Sequence, residues 1–263
     1  MTAPLLIEPR EGYRRLVLNR PEKINALNGA LLEGLIQALD DAAADPGCRA
    51  LLITGTGRGF CAGQDLGEVP EGGAVILDPG AVIERLYNPL IRRLRAIPLP
   101  VVCAVNGIAA GAGASLALAC DIVLAARSAK FIQAFVRIGL VPDSGGTFFL
   151  PHLVGAARAR ALAMLGEPVG AEQAEAWGMI WRAVDDEALA GEAERLTAHL
   201  ATQPTQAIAL IKRALDAAES NGLDAQLALE RDLQCQAART PDCAEGVRAF
   251  LEKRPPRFTG QAR

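Results

Sequence analysis

The feature that most constrains the fold is an apolar strand that leads into a glycine-rich turn and then into a helix of small residues. Residues Val101–Val105 read VVCAV, a β-branched run typical of a buried strand. Residues 106–115 read NGIAAGAGAS, and residues 116–121 predict a buried helix that ends near Cys120. A strand, a tight turn and a helix start direct free backbone N–H groups toward one concavity. We therefore expect this turn to bind an anion, or an oxygen that becomes negative during a reaction.

Three known glycine motifs do not fit this segment. A dinucleotide fingerprint needs Gly or Ala where Leu116 stands. A phosphate-binding loop needs a lysine, and none lies between Lys23 and Lys130. A nucleophile elbow fails because Ala117 takes the place of its last glycine. A turn that only permits close packing stays open as the alternative for this segment alone.

A second segment repeats the pattern of strand and glycine-rich turn. Residues 51–54 read LLIT, a short buried strand, and residues 55–66 read GTGRGFCAGQDL, with Asp65 near the next helix start. Two such turns can each donate one N–H to the same oxygen, which is how an oxyanion hole with two donors is built. The two turns together favour a binding site over a packing role.

Three segments resemble the enoyl-CoA hydratase/isomerase (crotonase) superfamily. They are residues 59–66 (GFCAGQDL), 105–115 (VNGIAAGAGAS) and 139–146 (GLVPDSGG). The similarity extends from Arg14 to Phe258, in the order and with the spacing of the family. It is therefore more specific than any single glycine motif.

The resemblance implies an α/β fold in which ββα units form a spiral, followed by a C-terminal helical region. It implies that residues 1–200 form a catalytic domain that binds acyl-CoA and that residues 201–263 form a helical trimerisation region. The expected partners are an acyl-CoA thioester and further copies of the chain, as a homotrimer or a dimer of trimers. No cofactor is expected, because coenzyme A is part of the substrate.

The resemblance also implies the catalytic groups. It places the oxyanion-hole donors on the N–H groups of Ala62 and Ala112, which would hold the thioester carbonyl oxygen. Hydratases of the family use two glutamates to position and activate water, and these positions fall on Ser115 and Phe135 in this chain. Neither side chain can act as a carboxylate base, so hydration by the usual route is not expected.

Asp143 matches the aspartate that several isomerase branches of the superfamily use. A carboxylate on an apolar loop at a helix start can have a pKa suited to proton transfer. The alternative is that Asp143 caps the helix that begins near Gly145. With both glutamates absent, we expect Asp143 to be the single acid/base that moves a proton between two carbons of a thioester enolate. Whether Glu68 or Glu84 assists is left open.

Within the superfamily, the chain is similar to the branch of phenylacetate degradation that rearranges a ring-epoxide thioester. The residues that carry this similarity are 85–90, 126–131, 179–181, 250–254 and 258–260. The similarity implies an isomerase that converts 1,2-epoxyphenylacetyl-CoA to its oxepin thioester, or shifts a Δ3 double bond to Δ2. The alternatives are an enoyl-CoA hydratase or another crotonase-type acyl-CoA enzyme, and a non-catalytic acyl-CoA-binding subunit.

The residues that the resemblance implies for substrate binding surround the two turns. They are Lys23, Ala62, Gln64, Asp65, Leu66, Tyr87, Gly111 and Phe135. Lys23, with Arg20, is a candidate for contacts to the phosphates of coenzyme A or a solvated surface charge. Tyr87 and Phe135 are candidates for the wall of the acyl pocket or for ordinary core. Residues 69–80, rich in Gly, Pro and acidic side chains, predict a mobile loop.

Composition excludes several other classes of protein. The net charge of −3 gives no electrostatic case for binding nucleic acid or an anionic membrane. No apolar run approaches the ~20 residues of a membrane span, and the first residues lack the layout of a signal peptide. We therefore expect a cytoplasmic protein. The six cysteines include no Cys-x-x-Cys pair, and two histidines leave little for zinc, so no metal site is expected. Cys61 is the one thiol expected in an exposed loop.

Overall fold

The structure is a computed structural model, and it describes residues 3–68 and 79–261. Most of the loop predicted over residues 69–80 lies outside the described residues, and its last two residues begin a short helix. The described chain contains ten strands and eleven α-helices. The strands are β1 Leu5–Arg10, β2 Tyr13–Leu18, β3 Ala50–Gly55, β4 Gly59–Cys61, β5 Val101–Val105, β6 Ile108–Ala110, β7 Ile122–Ala126, β8 Lys130–Ile132, β9 Pro168–Gly170 and β10 Arg182–Val184.

The helices alternate with the strands and then continue alone to the end of the chain. They are α1 Gly29–Ala44, α2 Pro79–Val82, α3 Asn88–Ala96, α4 Ala112–Leu118, α5 Gly146–Val154, α6 Ala156–Leu165, α7 Ala171–Ala176, α8 Leu189–Ala201, α9 Thr205–Ala218, α10 Leu223–Ala237 and α11 Pro241–Leu251. Short 3₁₀ helices occur at Pro21–Lys23, Leu66–Glu68 and Ala134–Ile138, and a π-helical turn at Ile83–Tyr87 joins α2 to α3.

The strands form two sheets that the chain visits in turn. The six-stranded sheet has the order β1-β2-β3-β5-β7-β10, and the four-stranded sheet has the order β4-β6-β8-β9. Strands β3, β5 and β7 are parallel neighbours in the first sheet, and β4, β6 and β8 are parallel neighbours in the second. Each ββα unit therefore adds one strand to each sheet before its helices. This repetition confirms the predicted α/β spiral.

The second sheet consists of three-residue strands that sequence periodicity does not reveal. Strands β4 and β6 lie inside the two glycine-rich segments that were predicted to be turns. A strand of three residues is too short to show an alternating pattern. Each of the two glycine-rich segments is therefore held in place by a strand of this second sheet.

Helix α1 shows how local sequence positions the first turn. Asn28 caps the helix, since its side chain accepts a hydrogen bond from the Leu31 N–H at 3.0 Å. Leu31, Leu35 and Leu39 are fully buried on one face of the helix. Burial of each leucine contributes about 2 kcal/mol. The start of α1 is thus fixed, and with it the preceding segment that contacts the β4 turn.

The C-terminal helices are joined to the first sheet by a buried ion pair. The Lys212 Nζ on α9 lies 2.8 Å from Asp121 Oδ2 and donates to the Leu99 carbonyl at 2.9 Å. Asp121 in turn accepts from the Val101 N–H at 2.7 Å. Asp121 therefore satisfies a backbone donor at the start of β5. The burial of Lys212 also means that the opposite face of α9 points outward.

Candidate active site

The turn after β4 forms one side of the candidate active site. Gly63 turns the chain at φ +91°, and three backbone hydrogen bonds fasten the turn to the segment before α1. The Ala62 N–H donates to the Ile24 carbonyl at 2.9 Å. The Leu27 N–H donates to Gly63 at 2.7 Å, and the Leu27 carbonyl accepts from Asp65 at 2.9 Å. Because the Ala62 N–H already has an acceptor inside the chain, its prediction as an oxyanion donor is wrong.

The Gln64 N–H is the other candidate donor on this turn. Gln64 and Leu27 form a parallel bridge in which Leu27 bonds the residues on either side of Gln64. The peptide groups of Gln64 itself therefore point away from Leu27. Over residues 3–68 and 79–261, no backbone acceptor pairs with the Gln64 N–H. Gln64 was predicted to contact the substrate, and its backbone role is the part that sequence reasoning missed.

The second turn begins helix α4 and supplies the other N–H. Gly111 precedes the helix at φ +51° and ψ −127°, a conformation that requires glycine, and no side chain caps the helix. Its own N–H is held by the Ile132 carbonyl at 2.8 Å. Ser115 donates the first intrahelical hydrogen bond, to Gly111 at 3.1 Å. The Ala112 N–H belongs to the uncapped first turn, where helix N–H groups have no intrahelical partner.

The two turns lie against each other. A Cβ placed on Gly63 would be 3.5 Å from the Ala112 nitrogen and 2.8 Å from the Ala110 carbonyl oxygen. A Cβ placed on Gly113 would be 2.5 Å from the Cys61 carbonyl oxygen and 2.7 Å from its sulfur. Only glycines permit this approach, so the glycines of the motif bring two backbone segments together. The N–H groups of Gln64 and Ala112 are consequently presented from neighbouring turns.

Cys61 is a buried residue of β4, so its expected position in an exposed loop is wrong. Burial raises the pKa of the Cys61 thiol to about 12, although the Gly63 N–H donates a hydrogen bond to the sulfur. A thiol with this pKa is protonated at neutral pH and is a poor nucleophile. Cys61 therefore shapes the turn and does not carry the chemistry.

Asp143 lies on the loop that enters helix α5. The cap of this helix is Gly145, and no side chain makes a capping hydrogen bond, so the capping alternative for Asp143 is wrong. Its carboxylate accepts one hydrogen bond, from the Ser144 hydroxyl at 2.9 Å. Burial raises the pKa of the Asp143 carboxyl, and the Ser144 hydrogen bond only partly opposes this effect. A half-buried carboxyl with a raised pKa suits proton transfer to and from carbon.

The Asp143 loop packs on the helix that begins at the second turn. A Cβ placed on Gly146 would be 2.7 Å from the Ser115 hydroxyl oxygen. The Phe135 ring lies on the other side, 3.8 Å from a Cβ placed on Gly111. The two positions expected for hydratase glutamates thus hold a fully buried hydroxyl and a buried aromatic ring. Asp143 is the carboxylate on the loop that contacts them.

Comparison with known proteins identifies the family. The model of the family described as enoyl-CoA hydratase/isomerase matches residues 10–261. A 1,2-epoxyphenylacetyl-CoA isomerase from Escherichia coli (strain K12) is 55% identical over 260 residues, which are 98% of each chain. The chain belongs to the enoyl-CoA hydratase/isomerase family. A probable enoyl-CoA hydratase from Rhodobacter capsulatus is 50% identical over 254 residues, 97% of each chain. A solved structure of a putative family member from Mycobacterium abscessus has a TM-score of 0.91 at 37% identity, covering 98% of this chain and all of that one.

Membership of the enoyl-CoA hydratase/isomerase family confirms the predicted family, fold class and enzymatic function. An acyl-CoA substrate agrees with the family. In the part of the chain that the structure describes, no group of three metal-ligating side chains is present. Across the same residues, no helix is both long enough and apolar enough to cross a membrane.

Two of the predicted substrate-binding residues, Asp65 and Lys23, lie close to the first turn. Asp65 is buried, and its carboxylate binds Arg20 at 2.6 Å and the Gly67 N–H at 3.0 Å. Burial acts to raise the pKa of Asp65, but Arg20 and the Gly67 N–H outweigh it and hold the pKa below its usual range. The side chain of Asp65 therefore fastens the turn, and its contact with a substrate stays a prediction. Lys23 is exposed, and its Nζ lies close to the first turn, 3.7 Å from the position of a Cβ placed on Gly67.

The remaining predicted contacts lie on helices near the site. Tyr87 is buried at the end of the π-helical turn, and Leu66 is half exposed beside the first turn. Glu84 is exposed and binds Asn88 at 2.7 Å and Arg92 at 3.0 Å. These hydrogen bonds hold the pKa of Glu84 below its usual range, which does not suit a second acid. The side chain of Glu68 lies outside the described residues.

Asn25, which sequence reasoning missed, holds the segment before the first turn in place. The Asn25 side chain is fully buried, donates to the carbonyls of Thr56 and Gly59 at 2.9 Å, and accepts from the Arg20 N–H at 2.8 Å. Asn25 adopts φ +54°, a conformation that Asn tolerates better than most residues. In the sequence, Asn25 stands between a proline-containing loop and an apolar helix, which is also the pattern of a helix cap, and Asn28 takes that role in the structure.

Proposed function

We propose that this chain is an acyl-CoA isomerase in which Asp143 is the only catalytic carboxylate. The observation that carries the proposal is the replacement of both hydratase glutamates, by Ser115 and Phe135, beside an aspartate with a raised pKa. A hydratase needs acid/base groups that activate water, whereas a double-bond shift needs one group that removes a proton and returns it. The site supplies one such group.

The two turns supply the electrophilic half of the mechanism. The N–H groups of Gln64 and Ala112 bind the thioester carbonyl oxygen and stabilise the enolate that forms when the adjacent carbon loses a proton. Each such donor contributes about 3 kcal/mol to the transition state. Asp143 removes the proton from one carbon and returns it to another, so no net proton is consumed. Phe135, packed against Gly111, forms part of the wall of the acyl pocket.

We propose 1,2-epoxyphenylacetyl-CoA as the first substrate and a Δ3-enoyl-CoA as the second. Support comes from the 55% identity to the Escherichia coli 1,2-epoxyphenylacetyl-CoA isomerase. The 50% identity to a probable enoyl-CoA hydratase keeps hydration as the second candidate function. Lys23 is proposed to contact the phosphates of coenzyme A. The predicted cytoplasmic location stays a prediction.

Product analysis distinguishes the candidate functions. The purified protein is incubated separately with 1,2-epoxyphenylacetyl-CoA, with a Δ3-enoyl-CoA and with crotonyl-CoA, and the thioesters are separated by chromatography and mass. An isomerase gives products of unchanged mass from the first two substrates and leaves crotonyl-CoA intact. Gain of 18 mass units on crotonyl-CoA at a comparable rate supports a hydratase instead. Binding of all three without conversion supports a non-catalytic subunit.

The pH dependence of the isomerase follows from the raised pKa of Asp143. The enzyme needs the carboxylate form to remove a proton, so kcat/KM should fall as the pH falls through this pKa. Because burial raises the pKa, the acid limb should lie at higher pH than a solvent-exposed aspartate would give. A pH profile of kcat/KM on the Δ3 substrate measures this limb. A rate that stays constant down to the usual pKa of an aspartate would contradict the assignment.

We also propose that residues 201–263 form the oligomerisation region and residues 1–200 the catalytic domain. The boundary falls at the last residue of α8, just before the interval that leads to α9. In the sequence of α9, Ile208, Ile211 and Leu215 form an apolar stripe, with Lys212 on another side. In the structure Lys212 is among the buried residues of α9, while Ile211 and Leu215, from the apolar stripe of its sequence, are 55% and 66% exposed. An apolar face that points away from its own domain indicates burial against another copy.

The double variant Ile211→Asp with Leu215→Asp tests the oligomer. Two charges on the outward face should destabilise a homotrimer or dimer of trimers without affecting the core of the subunit. The measurement is the molar mass in solution by sedimentation or light scattering, with unfolding followed in parallel. A matched control is Glu219→Asp, which keeps an exposed charge at the end of the same helix. An unchanged oligomer in the double variant would place the interface elsewhere.

A further inference from the structure

Gln133 is a buried polar side chain that the mechanism above does not use. It is 4% exposed and lies between strand β8 and the 3₁₀ helix Ala134–Ile138. Among residues 3–68 and 79–261, its Oε1 is fully buried and has no hydrogen-bond partner. A buried amide oxygen without a partner is rare in folded proteins, because burial removes its hydrogen bonds to water without replacing them. Such a group needs an explanation.

The position of Gln133 connects the two halves of the active site. The preceding residue, Ile132, holds the Gly111 N–H of the oxyanion turn at 2.8 Å. On the other side, a Cβ placed on Gly146 would be 3.4 Å from Gln133 Oε1 and 2.7 Å from Ser115 Oγ. Gly146 follows Asp143 by three residues, and its N–H donates to the Asp143 carbonyl at 2.8 Å. The amide is therefore located between the turn that binds the carbonyl and the loop that carries the base.

The Ser115 hydroxyl is the second polar group at this position. It is fully buried, and its one hydrogen bond, to the Gly111 carbonyl, is long at 3.4 Å. The carboxamide of Gln133 can donate or accept, and a hydroxyl can do both. The Pro142 Cβ lies 3.4 Å from the same Cβ placed on Gly146, so the pair has an apolar side chain close by. Two weakly bonded polar groups in apolar surroundings are suited to recognise a single polar atom on an otherwise apolar ligand.

We infer that Gln133, assisted by Ser115, recognises an oxygen atom carried by the acyl group and makes the enzyme selective for oxygenated acyl thioesters. An epoxide or oxepin oxygen is an acceptor without a proton, so it needs a donor. The Gln133 carboxamide supplies one when it turns by 180° and places its nitrogen where the unpaired Oε1 lies. The Ser115 hydroxyl can donate to the same oxygen. A hydrocarbon enoyl group offers no such acceptor and leaves the amide unpaired. The inference rests on the proposed isomerase function and adds a determinant of specificity to it.

The variant Gln133→Met tests the inference, because methionine keeps the volume of the side chain and removes its polar atoms. We expect kcat/KM on 1,2-epoxyphenylacetyl-CoA to fall about 10- to 100-fold, as sites that hydrogen-bond their substrates do when a partner is lost. On a Δ3-enoyl-CoA the change should be less than about threefold. The melting temperature should not fall, because the amide has no partner in the protein to lose. Gln173→Met, on an exposed position of α7, is the matched control and should change none of these values.

Ser115→Ala is the second variant and removes one oxygen atom from the pair. It should lower activity on the epoxide selectively, by a smaller factor than Gln133→Met. Equal losses on both substrates, or no loss on either, would overturn the inference. A lower melting temperature with unselective loss would assign Gln133 a structural role and would also overturn it. If the unmodified enzyme converts neither substrate, the proposed function fails first, so the two failures are distinguishable.

Discussion

Replacing Asp143 by Asn should lower the kcat of isomerisation by about a thousandfold, because the site then lacks a group that can remove the proton. Asparagine has nearly the same shape, so the loop and the oxyanion turns should keep their positions. The KM and the Kd for a non-reactive acyl-CoA should change little. Steady-state kinetics on a Δ3-enoyl-CoA, together with calorimetric titration of the thioester, measures both effects. A near-normal rate in this variant would remove Asp143 from the mechanism.

The same variant has a stability signature with a defined sign. The pKa of Asp143 is higher in the folded chain than in the unfolded chain. The favourable contribution of this group is therefore fully present below the unfolded pKa and is lost as the pH rises through the folded pKa. At neutral pH the buried carboxylate opposes folding, and Asn removes its charge. The melting temperature of Asp143→Asn at neutral pH should equal or exceed that of the unmodified protein. Glu84→Gln, at an exposed and well-bonded carboxylate, is the matched control and should not raise it.

The long elements of the fold were predictable because their patterns are unambiguous over many residues. Strands β3 and β5 lie within one residue of their predicted bounds at each end. Strands β4, β6 and β9 were not predicted, since three residues among glycines carry no period. The site depends on those short strands. For this reason the location of the two turns could be inferred from sequence, but the direction of each N–H could not.

The choice between Ala62 and Gln64 shows where that limit lies. Both residues follow the same apolar strand and precede the same aspartate, so local sequence does not separate them. The difference between the two N–H groups comes from the segment before α1, where the Ile24 carbonyl accepts a hydrogen bond from the Ala62 N–H at 2.9 Å. Ile24 is at φ +50° and its position is fixed by the neighbouring Asn25 side chain. A contact between segments about forty residues apart thus decides which of the two N–H groups is bonded within the chain.

A similar limit applies to helix α9. Its sequence has a clear apolar stripe, and the simplest interpretation turns that stripe toward the subunit core. The structure turns Lys212 inward, because Asp121 and the Leu99 carbonyl at the edge of the sheet provide its partners. An amphipathic pattern defines two faces of a helix but not which of them contacts its own domain. The orientation of the helix depends on residues far away in the sequence.

Replacing Gly113 by Ala should lower kcat about a hundredfold, with a smaller effect on KM. The new Cβ would be 2.5 Å from the Cys61 carbonyl oxygen and 2.7 Å from the Cys61 Cβ and sulfur. These atoms belong to the backbone and to a buried side chain, so the strand and the helix must separate. A displacement of about 1 Å between the Gln64 and Ala112 N–H groups is enough to cost a hundredfold in rate. Overpacking at this contact should also cost about 1–3 kcal/mol of stability.

Gly191→Ala provides the matched control for Gly113→Ala. Gly191 also lies in a helix, and a Cβ there meets no atom within 4 Å. Alanine should therefore stabilise α8 by about 0.5–1 kcal/mol and leave the kinetics unchanged. Comparing the two variants separates the effect of alanine on helix stability from the effect of moving the two turns apart. If Gly113→Ala keeps full kcat while its thermal unfolding shifts, the approach of the turns is only a packing feature, and the N–H groups of Gln64 and Ala112 do not act together on one oxygen.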